Sequence, residues 1–202
     1  WVGLEHFRRL FSVPDLGRML RNTFVISGMR LAVGFPVPII LSLLLNDVTR
    51  EGLKKTFQNI IYLPHFLSWV VVATISLSVL APDGLINAGV ELLGGEPQNF
   101  MVKPRYFRWI LVFQGIWKEA GWGTVIYLAA LANVDPNLYE AAEMDGCTRL
   151  QRTRYITFPA MLGTVVVVFL LAVGRLVNEN FQQIFLMLNP IVLDKGDVFE
   201  TY

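Results

Sequence analysis

Residues 155–174 read YITFPAMLGTVVVVFLLAVG and contain no aspartate, glutamate, lysine or arginine. Residues 56–82, TFQNIIYLPHFLSWVVVATISLSVLAP, are equally free of these charged residues. A helix needs about 20 apolar residues to cross the hydrocarbon core of a bilayer, and both runs are long enough. A compact soluble core of this size does not need two such runs. Both stretches therefore predict membrane-spanning helices.

Two further stretches are apolar but interrupted. Residues 23–45 carry Arg30 and two prolines, which membrane helices tolerate when neighbouring groups satisfy the freed carbonyls. Residues 109–132 carry Lys118 and Glu119, and a charge at mid-bilayer costs about 2.5–3.5 kcal/mol on insertion scales, so we expect both side chains to face protein or water. We also expect these two neighbours not to pair with each other, because adjacent helical residues point about 100° apart. The four predicted spans lie near residues 23–45, 59–81, 109–132 and 157–178.

The composition excludes several functional classes. Charged residues make up 16% of the chain, against about 25% in soluble domains, and the net charge of +1 gives no reason to expect a nucleic-acid partner. The chain has no phosphate-binding loop of the G-x-x-x-x-G-K-[ST] type, so we do not expect it to hold ATP. The histidines His6 and His65 are far apart and Cys147 stands alone, so no metal site, catalytic triad or disulfide is predicted. We interpret His65 as a neutral histidine that is hydrogen-bonded between helices.

The connector between the third and fourth predicted spans carries its own helix signals. Residues 133–159 read NVDPNLYEAAEMDGCTRLQRTRYITFP. Asp135 can accept hydrogen bonds from free backbone amides as a helix cap, and Pro136 suits the first helical position. Gly146 then stops or bends this helix, and a second short helix can follow from Thr148. A helix–glycine–helix unit between two membrane spans is predicted to dock as a rigid knob on a soluble partner.

The same connector resembles the EAA loop of binding-protein-dependent ABC importer permeases. The family motif is E-A-A-x3-G-x9-I-x-L-P, and residues 140–142, Gly146, Ile156 and Pro159 match its spacing in full, with Phe158 in place of the usual leucine. In this family the loop is cytoplasmic and forms coupling helices that sit in a cleft of the ATPase subunit. The resemblance therefore implies ATPase coupling by Glu140, Ala141, Ala142, Asp145, Gly146, Ile156 and Pro159.

Flanking segments narrow the resemblance to the LplB-like sugar and oligosaccharide permeases, of the MalF/MalG type. Signatures similar to those of this subfamily occur at residues 62–71, 117–122, 126–131 and 197–202. The resemblance covers nearly the whole chain, and we expect the full protein to add one span before this stretch and one after it. We expect a single transmembrane permease domain over residues 1–202, with the coupling loop, residues 133–159, inside it.

The resemblance implies a permease of the type I ABC importer kind, an all-α polytopic helical bundle in the bacterial inner membrane. It implies import of a sugar or oligosaccharide that an extracellular solute-binding protein delivers, alongside a second permease subunit. ATP and Mg²⁺ are expected on separate ATP-binding cassette subunits, with no cofactor and no enzymatic activity on this chain. The alternative is an ion-coupled secondary transporter or channel subunit, which would use a membrane-embedded carboxylate such as Glu119.

The orientation follows from the resemblance. Because the EAA loop is cytoplasmic in the family, counting spans predicts that residues 1–22 and 179–202 face outward. The positive-inside rule weakly prefers the opposite orientation, since more lysines and arginines lie in the connectors that this count places outside. ATP is cytoplasmic, so the coupling loop must be cytoplasmic too, and this argument overrules the charge count.

Four residues of the third predicted span are candidates for the solute path. They combine aromatic faces, which suit sugar rings, with a polar group at membrane depth, and they are Trp117, Lys118, Trp122 and Tyr127. In the competing interpretation the aromatic residues form an interfacial belt and the lysine extends toward the membrane surface. The residues alone leave both interpretations open.

Overall fold

The structure is a computed structural model that describes residues 2–176 and 181–201. Within these residues the regular elements are helical and no β-strand is present. The α-helices in this part of the chain are α1 (Glu5–Phe11), α2 (Leu16–Met29), α3 (Pro36–Asn46), α4 (Glu51–Tyr62), α5 (Trp69–Leu80), α6 (Leu85–Leu92), α7 (Pro104–Leu131), α8 (Pro136–Met144), α9 (Arg149–Arg152), α10 (Phe158–Gly174), α11 (Phe181–Met187) and α12 (Leu193–Gly196). Short 3₁₀ segments occupy Leu63–Phe66, Phe100–Val102 and Phe199–Thr201, and π-helical turns occupy Arg30–Gly34 and Thr153–Thr157.

Long apolar helices dominate the described part of the chain. Three stretches of it are long and apolar enough to cross a membrane, namely Leu16–Asn46, Trp69–Leu92 and Arg149–Gly174. Helix α7 is also long enough, since its 28 residues span about 42 Å at 1.5 Å per residue, although a lysine and a glutamate lower its apolar character. The predicted spans at 23–45 and 109–132 coincide with these helices. Residues 177 and 178 of the predicted span at 157–178 lie outside the described residues.

Helix α10 has an apolar surface. Val166, Val167, Leu170 and Leu171 are each at least half exposed. A contiguous exposed face of this kind is rare on a soluble monomer, whereas lipid is its natural surrounding in a membrane protein. The exposure pattern of α10 therefore agrees with a membrane span.

Each π-helical turn lies close before a proline. The turn Arg30–Gly34 precedes α3, whose first residue is Pro36, and the turn Thr153–Thr157 precedes α10, whose second residue is Pro159. A proline lacks the amide hydrogen, and its ring clashes with a carbonyl of the preceding turn. A wider turn adapts the helix to the proline without ending it. Both membrane helices therefore continue past their prolines.

The prediction of one continuous span over residues 59–81 is wrong. The 3₁₀ turn Leu63–Phe66 and two further residues separate α4 from α5. Pro64 sits at the start of that turn, where it cannot donate to the preceding helix. Ser68 is extended and caps α5, because its hydroxyl accepts a hydrogen bond from the Val71 amide at 3.3 Å. The uncharged run is thus two helices with a break between them.

The described residues pack into two compact units. Unit 1 contains residues 2–29, 68–114, 175–176 and 181–201. Its apolar core consists of buried side chains that include Ile26, Phe107, Leu111, Ile184, Met187, Val192 and Val198. Gln183 is fully buried beside this core and donates to the Leu111 carbonyl at 2.9 Å and to Gln114 Oε1 at 2.6 Å. This polar side chain is therefore satisfied inside the protein, as a membrane interior requires.

Unit 2 contains residues 30–67 and 115–174. Its apolar core is the cluster of Ile39, Tyr127, Leu131 and Met161. The unit includes α3, α4, the second half of α7 and helices α8 to α10. The coupling loop and the 3₁₀ turn at 63–66 therefore both belong to unit 2.

Candidate functional site

The coupling loop begins with a capped helix. The Asp135 side chain accepts a hydrogen bond from the Asn137 amide at 2.9 Å, and Pro136 is the first residue of α8. The cap satisfies one of the amides that a helix start leaves unpaired, and the fixed φ of proline suits this position. The helix start predicted from these residues is confirmed.

Gly146 ends α8 in a conformation that needs a glycine. Its φ is +75°, in the left-handed region that costs other residues about 1–2 kcal/mol. The Cys147 amide donates to the Ala142 carbonyl at 2.9 Å, and the Gly146 amide donates to the Glu143 carbonyl at 3.1 Å. These two bonds form a Schellman motif, which pairs the last carbonyls of the helix. The predicted stop at Gly146 is confirmed.

The helix that follows Gly146 is anchored at its start and is continuous with the next membrane span. Thr148 and Gln151 form a capping box, in which each side chain accepts a hydrogen bond from the other residue's backbone amide. Helix α9 then passes through the π-helical turn into α10, so that Arg149–Gly174 is one helical stretch. No non-helical connector therefore separates α9 from α10.

Side-chain contacts hold the two helices of the loop together. The hydroxyls of Tyr139 and Thr157 are 3.2 Å apart, and Thr157 is almost fully buried. Arg152 donates to Glu143 Oε1 at 3.2 Å across the turn. These contacts tie α8 to the helix that follows it. The loop is a folded unit and not a flexible linker.

Most of the predicted coupling residues are available on the surface of the chain. Buried Ala142 and half-buried Ile156 support the loop from inside. The exposed members are Glu140, Ala141, Asp145, Gly146 and Pro159. Sequence reasoning missed Met144 and Leu150, whose side chains are 89% and 78% exposed on either side of the glycine turn. Their signal was a large apolar residue within four positions of Gly146, on each side of it, in an otherwise polar stretch.

A second site lies where α7 meets the break in the predicted span at 59–81. Lys118 is 5% exposed and its Nζ donates to the His65 carbonyl at 2.6 Å. His65 Nδ1 lies 2.8 Å from Glu119 Oε2, and Lys118 Nζ lies 3.5 Å from Glu119 Oε1. The prediction that Lys118 and Glu119 do not pair is wrong. Their Cβ atoms diverge, but both long side chains turn toward the same histidine and meet there.

The break is held by further contacts from the same helix. Trp122 stacks on the His65 ring with centroids 4.8 Å apart and an angle of 5° between the planes. A Cβ on the buried Gly121 would lie 2.6 Å from the Ile61 carbonyl carbon, so only glycine permits this approach. We call this arrangement the clamp, formed by Lys118, Glu119, Gly121 and Trp122 of α7 against residues 61–66. It confirms the interpretation of His65 as a hydrogen-bonded histidine between helices.

The four candidate residues of the solute path occupy different surroundings. Trp117 and Trp122 are each about half exposed. Lys118 is buried in the clamp, and Tyr127 is buried in the apolar core of unit 2. The structure thus brings Lys118 and Trp122 together around His65 and does not bring Trp117 or Tyr127 to that cluster.

Neither site is a metal centre by composition. Among residues 2–176 and 181–201 no group of three or more histidine, cysteine, aspartate or glutamate side chains could hold a metal ion. The side chains of the two sites make hydrogen bonds, ion pairs and an aromatic stack. Such contacts suit docking and conformational coupling.

The chain belongs to the family described as "Binding-protein-dependent transport system inner membrane component", whose pattern matches residues 34–193. It is 46% identical, over its whole length, to the polygalacturonan/rhamnogalacturonan transport system permease protein YteP of Bacillus subtilis (strain 168). It is 43% identical to the protein LplB of the same organism, also over its whole length. The chain spans 63% and 64% of these two relatives.

A solved structure supports the same assignment. The chain superimposes with a TM-score of 0.94 and 38% identity on a chain of a bacterial ABC transporter involved in the import of the acidic polysaccharide alginate. The match covers the whole of this chain and 71% of the other. The prediction of an all-α permease bundle is confirmed, as are the family inferred from the EAA spacing and the inner-membrane location.

Proposed function

We propose that the protein is the transmembrane permease subunit of an ATP-driven importer that carries a sugar or oligosaccharide. The observation that carries the proposal is the folded coupling loop between two membrane helices, with the EAA spacing on its surface. A loop whose two helices each have a capped start, and which side-chain contacts close, is suited to dock on another protein. An ion-coupled transporter has no need of such a unit.

The proposed mechanism starts at the coupling loop. ATP and Mg²⁺ bind to separate ATP-binding cassette subunits, whose closure moves the exposed face around Glu140 and Gly146. Because α9 is continuous with α10, this movement reaches a membrane span directly. A second permease subunit completes the pathway, and an extracellular solute-binding protein delivers the solute. The coupling role covers the seven residues named for it from the sequence.

The proposed solute class is a sugar or oligosaccharide, with uronic acid-containing oligosaccharides as the first to test. The support is the naming of similar proteins, one for polygalacturonan/rhamnogalacturonan transport and one for import of alginate. A structure similar to this chain contains an alginate pentasaccharide-bound periplasmic protein. Half-exposed Trp117 and Trp122 offer ring faces that suit a sugar, while buried Lys118 and Tyr127 would support the solute path without touching the solute.

We also propose that residues 1–22 and 179–202 face outward and that 133–156 faces the cytoplasm. The cytoplasmic EAA loop of the family sets this orientation, and the grouping of the described connectors agrees with each set sharing one side, because unit 1 contains those of residues 2–22 and 82–108, and unit 2 those of residues 46–58 and 133–156. The variant Lys195→Cys, in a chain with Cys147→Ser, should react with an impermeant maleimide in intact cells. Labelling only after permeabilisation would contradict the orientation.

The function itself is tested by reconstitution. The full-length protein is placed in liposomes with its second permease and ATPase subunits, and radiolabelled oligogalacturonate is offered with the solute-binding protein. We expect uptake that requires ATP and the binding protein. Uptake driven by a proton or sodium gradient without ATP would establish the ion-coupled alternative. Co-purification of the ATPase with the permease provides a second readout, which does not depend on the choice of solute.

A further inference from the structure

The clamp lies on the helix that leads into the coupling loop. Helix α7 ends at Leu131, four residues before Asp135, the cap of α8. In its second half it contacts the turn at residues 63–66 through Lys118, Glu119 and Trp122, and the end of α4 through Gly121. Any movement of the coupling loop that reaches α7 therefore also acts on the contacts of the clamp.

Within the clamp, Lys118 has the one side chain that binds the backbone of the turn at a distance below 3 Å. Its ammonium group donates to the His65 carbonyl at 2.6 Å, while Glu119 and Trp122 contact the His65 ring. The ending of a helix leaves its last carbonyls without the amides of a following turn. A membrane interior supplies no water to satisfy them, so a donor from a neighbouring helix has to do so. A buried lysine at this position fulfils that requirement.

The break at residues 63–66 also determines which helices can move together with α7. The run of residues 51–80 is two helices, α4 and α5, separated by the turn at 63–66. If the turn at residues 63–66 is fixed to α7, α4 follows the movement of α7. If the turn is loose, α4 and α7 move separately. Gly121 adds to this connection, because its lack of a side chain brings the α7 backbone against Ile61.

We infer that Lys118 is a positioning residue for transport, which fixes the turn at residues 63–66 onto α7 so that α4 moves with the helix leading into the coupling loop. This inference rests on the proposed function and deepens it. Lys118 acts through the backbone of His65 and not by binding the solute. The role belongs to the ammonium group, because a donor that is long and charged reaches the carbonyl and pairs with Glu119 at 3.5 Å.

The test uses the full-length transporter in nanodiscs and liposomes. Lys118→Met removes the donor and keeps the length, Lys118→Arg keeps a charged donor, and Val125→Ala on the same helix is the control. Hydrogen–deuterium exchange of peptides covering residues 60–68 reports on the turn. Uptake is measured as maximal rate and as the concentration of loaded solute-binding protein that gives half of it.

In Lys118→Met we expect amide hydrogen exchange over residues 60–68 to be at least fivefold faster than in the wild type. We expect its maximal uptake rate to be at least tenfold lower. The half-saturating concentration should stay within twofold, because binding-protein docking is untouched. Lys118→Arg should recover most of both properties, and Val125→Ala should match the wild type in both.

Three results would overturn the inference: wild-type exchange in Lys118→Met, wild-type uptake in Lys118→Met, or an altered solute preference with unchanged exchange. If Lys118→Met does not accumulate in the membrane, Lys118→Gln is judged by the same criteria, since its shorter side chain cannot reach the carbonyl. Absence of ATP-driven uptake in the wild type would instead overturn the proposed function.

Discussion

The coupling loop and the clamp are both places where a helix is interrupted, yet they are stabilised in opposite ways. At Gly146 the bonds that close the turn come from neighbours within five residues, such as Cys147 to Ala142. At the turn 63–66 the partners come from α7, 53 and 54 residues away in sequence. The loop is exposed and self-contained, whereas the clamp is centred on buried Lys118 and Gly121 and depends on tertiary contacts. The exposed interruption is therefore built from local contacts, while the one at residues 63–66 needs a second helix.

The difference between the coupling loop and the clamp is tested most strongly by the same substitution at one glycine of each region. Gly121→Leu places a Cβ against the Ile61 carbonyl, and no side-chain rotation can relieve a clash with backbone. Overpacking of this kind costs about 1–3 kcal/mol or more, and here it also separates α7 from the turn. We expect membrane abundance to fall to about a tenth of wild type by quantitative immunoblot. Gly163→Leu is the control, because a Cβ there meets nothing within 4 Å. Normal abundance of Gly121→Leu would show that the clamp does not hold the fold.

Gly146→Leu should fail in a different way. A Cβ at Gly146 also meets nothing within 4 Å, so the penalty is the left-handed backbone, about 1–2 kcal/mol, confined to the loop. We expect near-normal membrane abundance, loss of ATPase co-purification and abolished uptake, because the turn is disturbed and the docking face gains bulk. Wild-type uptake with normal co-purification would remove the coupling role. Loss of the protein from the membrane would show that this glycine, too, serves folding.

The same contrast explains what could be predicted from the sequence. The helix start at Asp135, the stop at Gly146 and the spans near 23–45 and 109–132 depend on neighbouring residues or on composition, and these predictions are confirmed. The break after Tyr62 was missed because charge-free composition does not change there, although Pro64 was a local signal. Helix geometry alone led to the prediction that Lys118 and Glu119 do not pair, and that prediction was wrong. Only the approach of His65, far away in sequence, turns both side chains the same way.

The solute-path candidates show the same limit of prediction from sequence. All four were chosen for residue type within one apolar stretch, and residue type does not reveal which face of a helix is buried. Tyr127 packs in the unit 2 core and Lys118 in the clamp, while Trp117 and Trp122 stay half exposed. The two flanking signatures around residues 62–66 and 117–122 turn out to be in contact. Their sequences gave no indication of that contact.

Glu140→Ala tests how much one exposed charge of the coupling loop contributes to docking, compared with the glycine turn. Glu140 is exposed on this chain, so its loss leaves no buried partner here and should not affect abundance. A charge-assisted hydrogen bond at the docking contact contributes about 1.5–3 kcal/mol, and we expect the lower end, roughly a tenfold weaker affinity for the ATPase. Co-purification across a salt series measures this, with Gly146→Leu as the reference for complete loss. Unchanged affinity would remove Glu140 from the contact and leave the glycine turn as the main docking element.

The smallest effect is expected for Glu143→Gln. Glu143 pairs with Arg152 at 3.2 Å, but its side chain is 71% exposed, and exposed ion pairs typically contribute 0–1 kcal/mol. A glutamine keeps the size and can still accept a hydrogen bond from the arginine. Helix α8 is also closed by the Schellman bonds and tied by the Tyr139–Thr157 contact, which the substitution does not touch. Uptake and ATPase co-purification should therefore stay within about twofold of wild type. A loss as large as that of Gly146→Leu would show that the loop depends on this cross-turn ion pair, and then the loop would resemble the clamp after all.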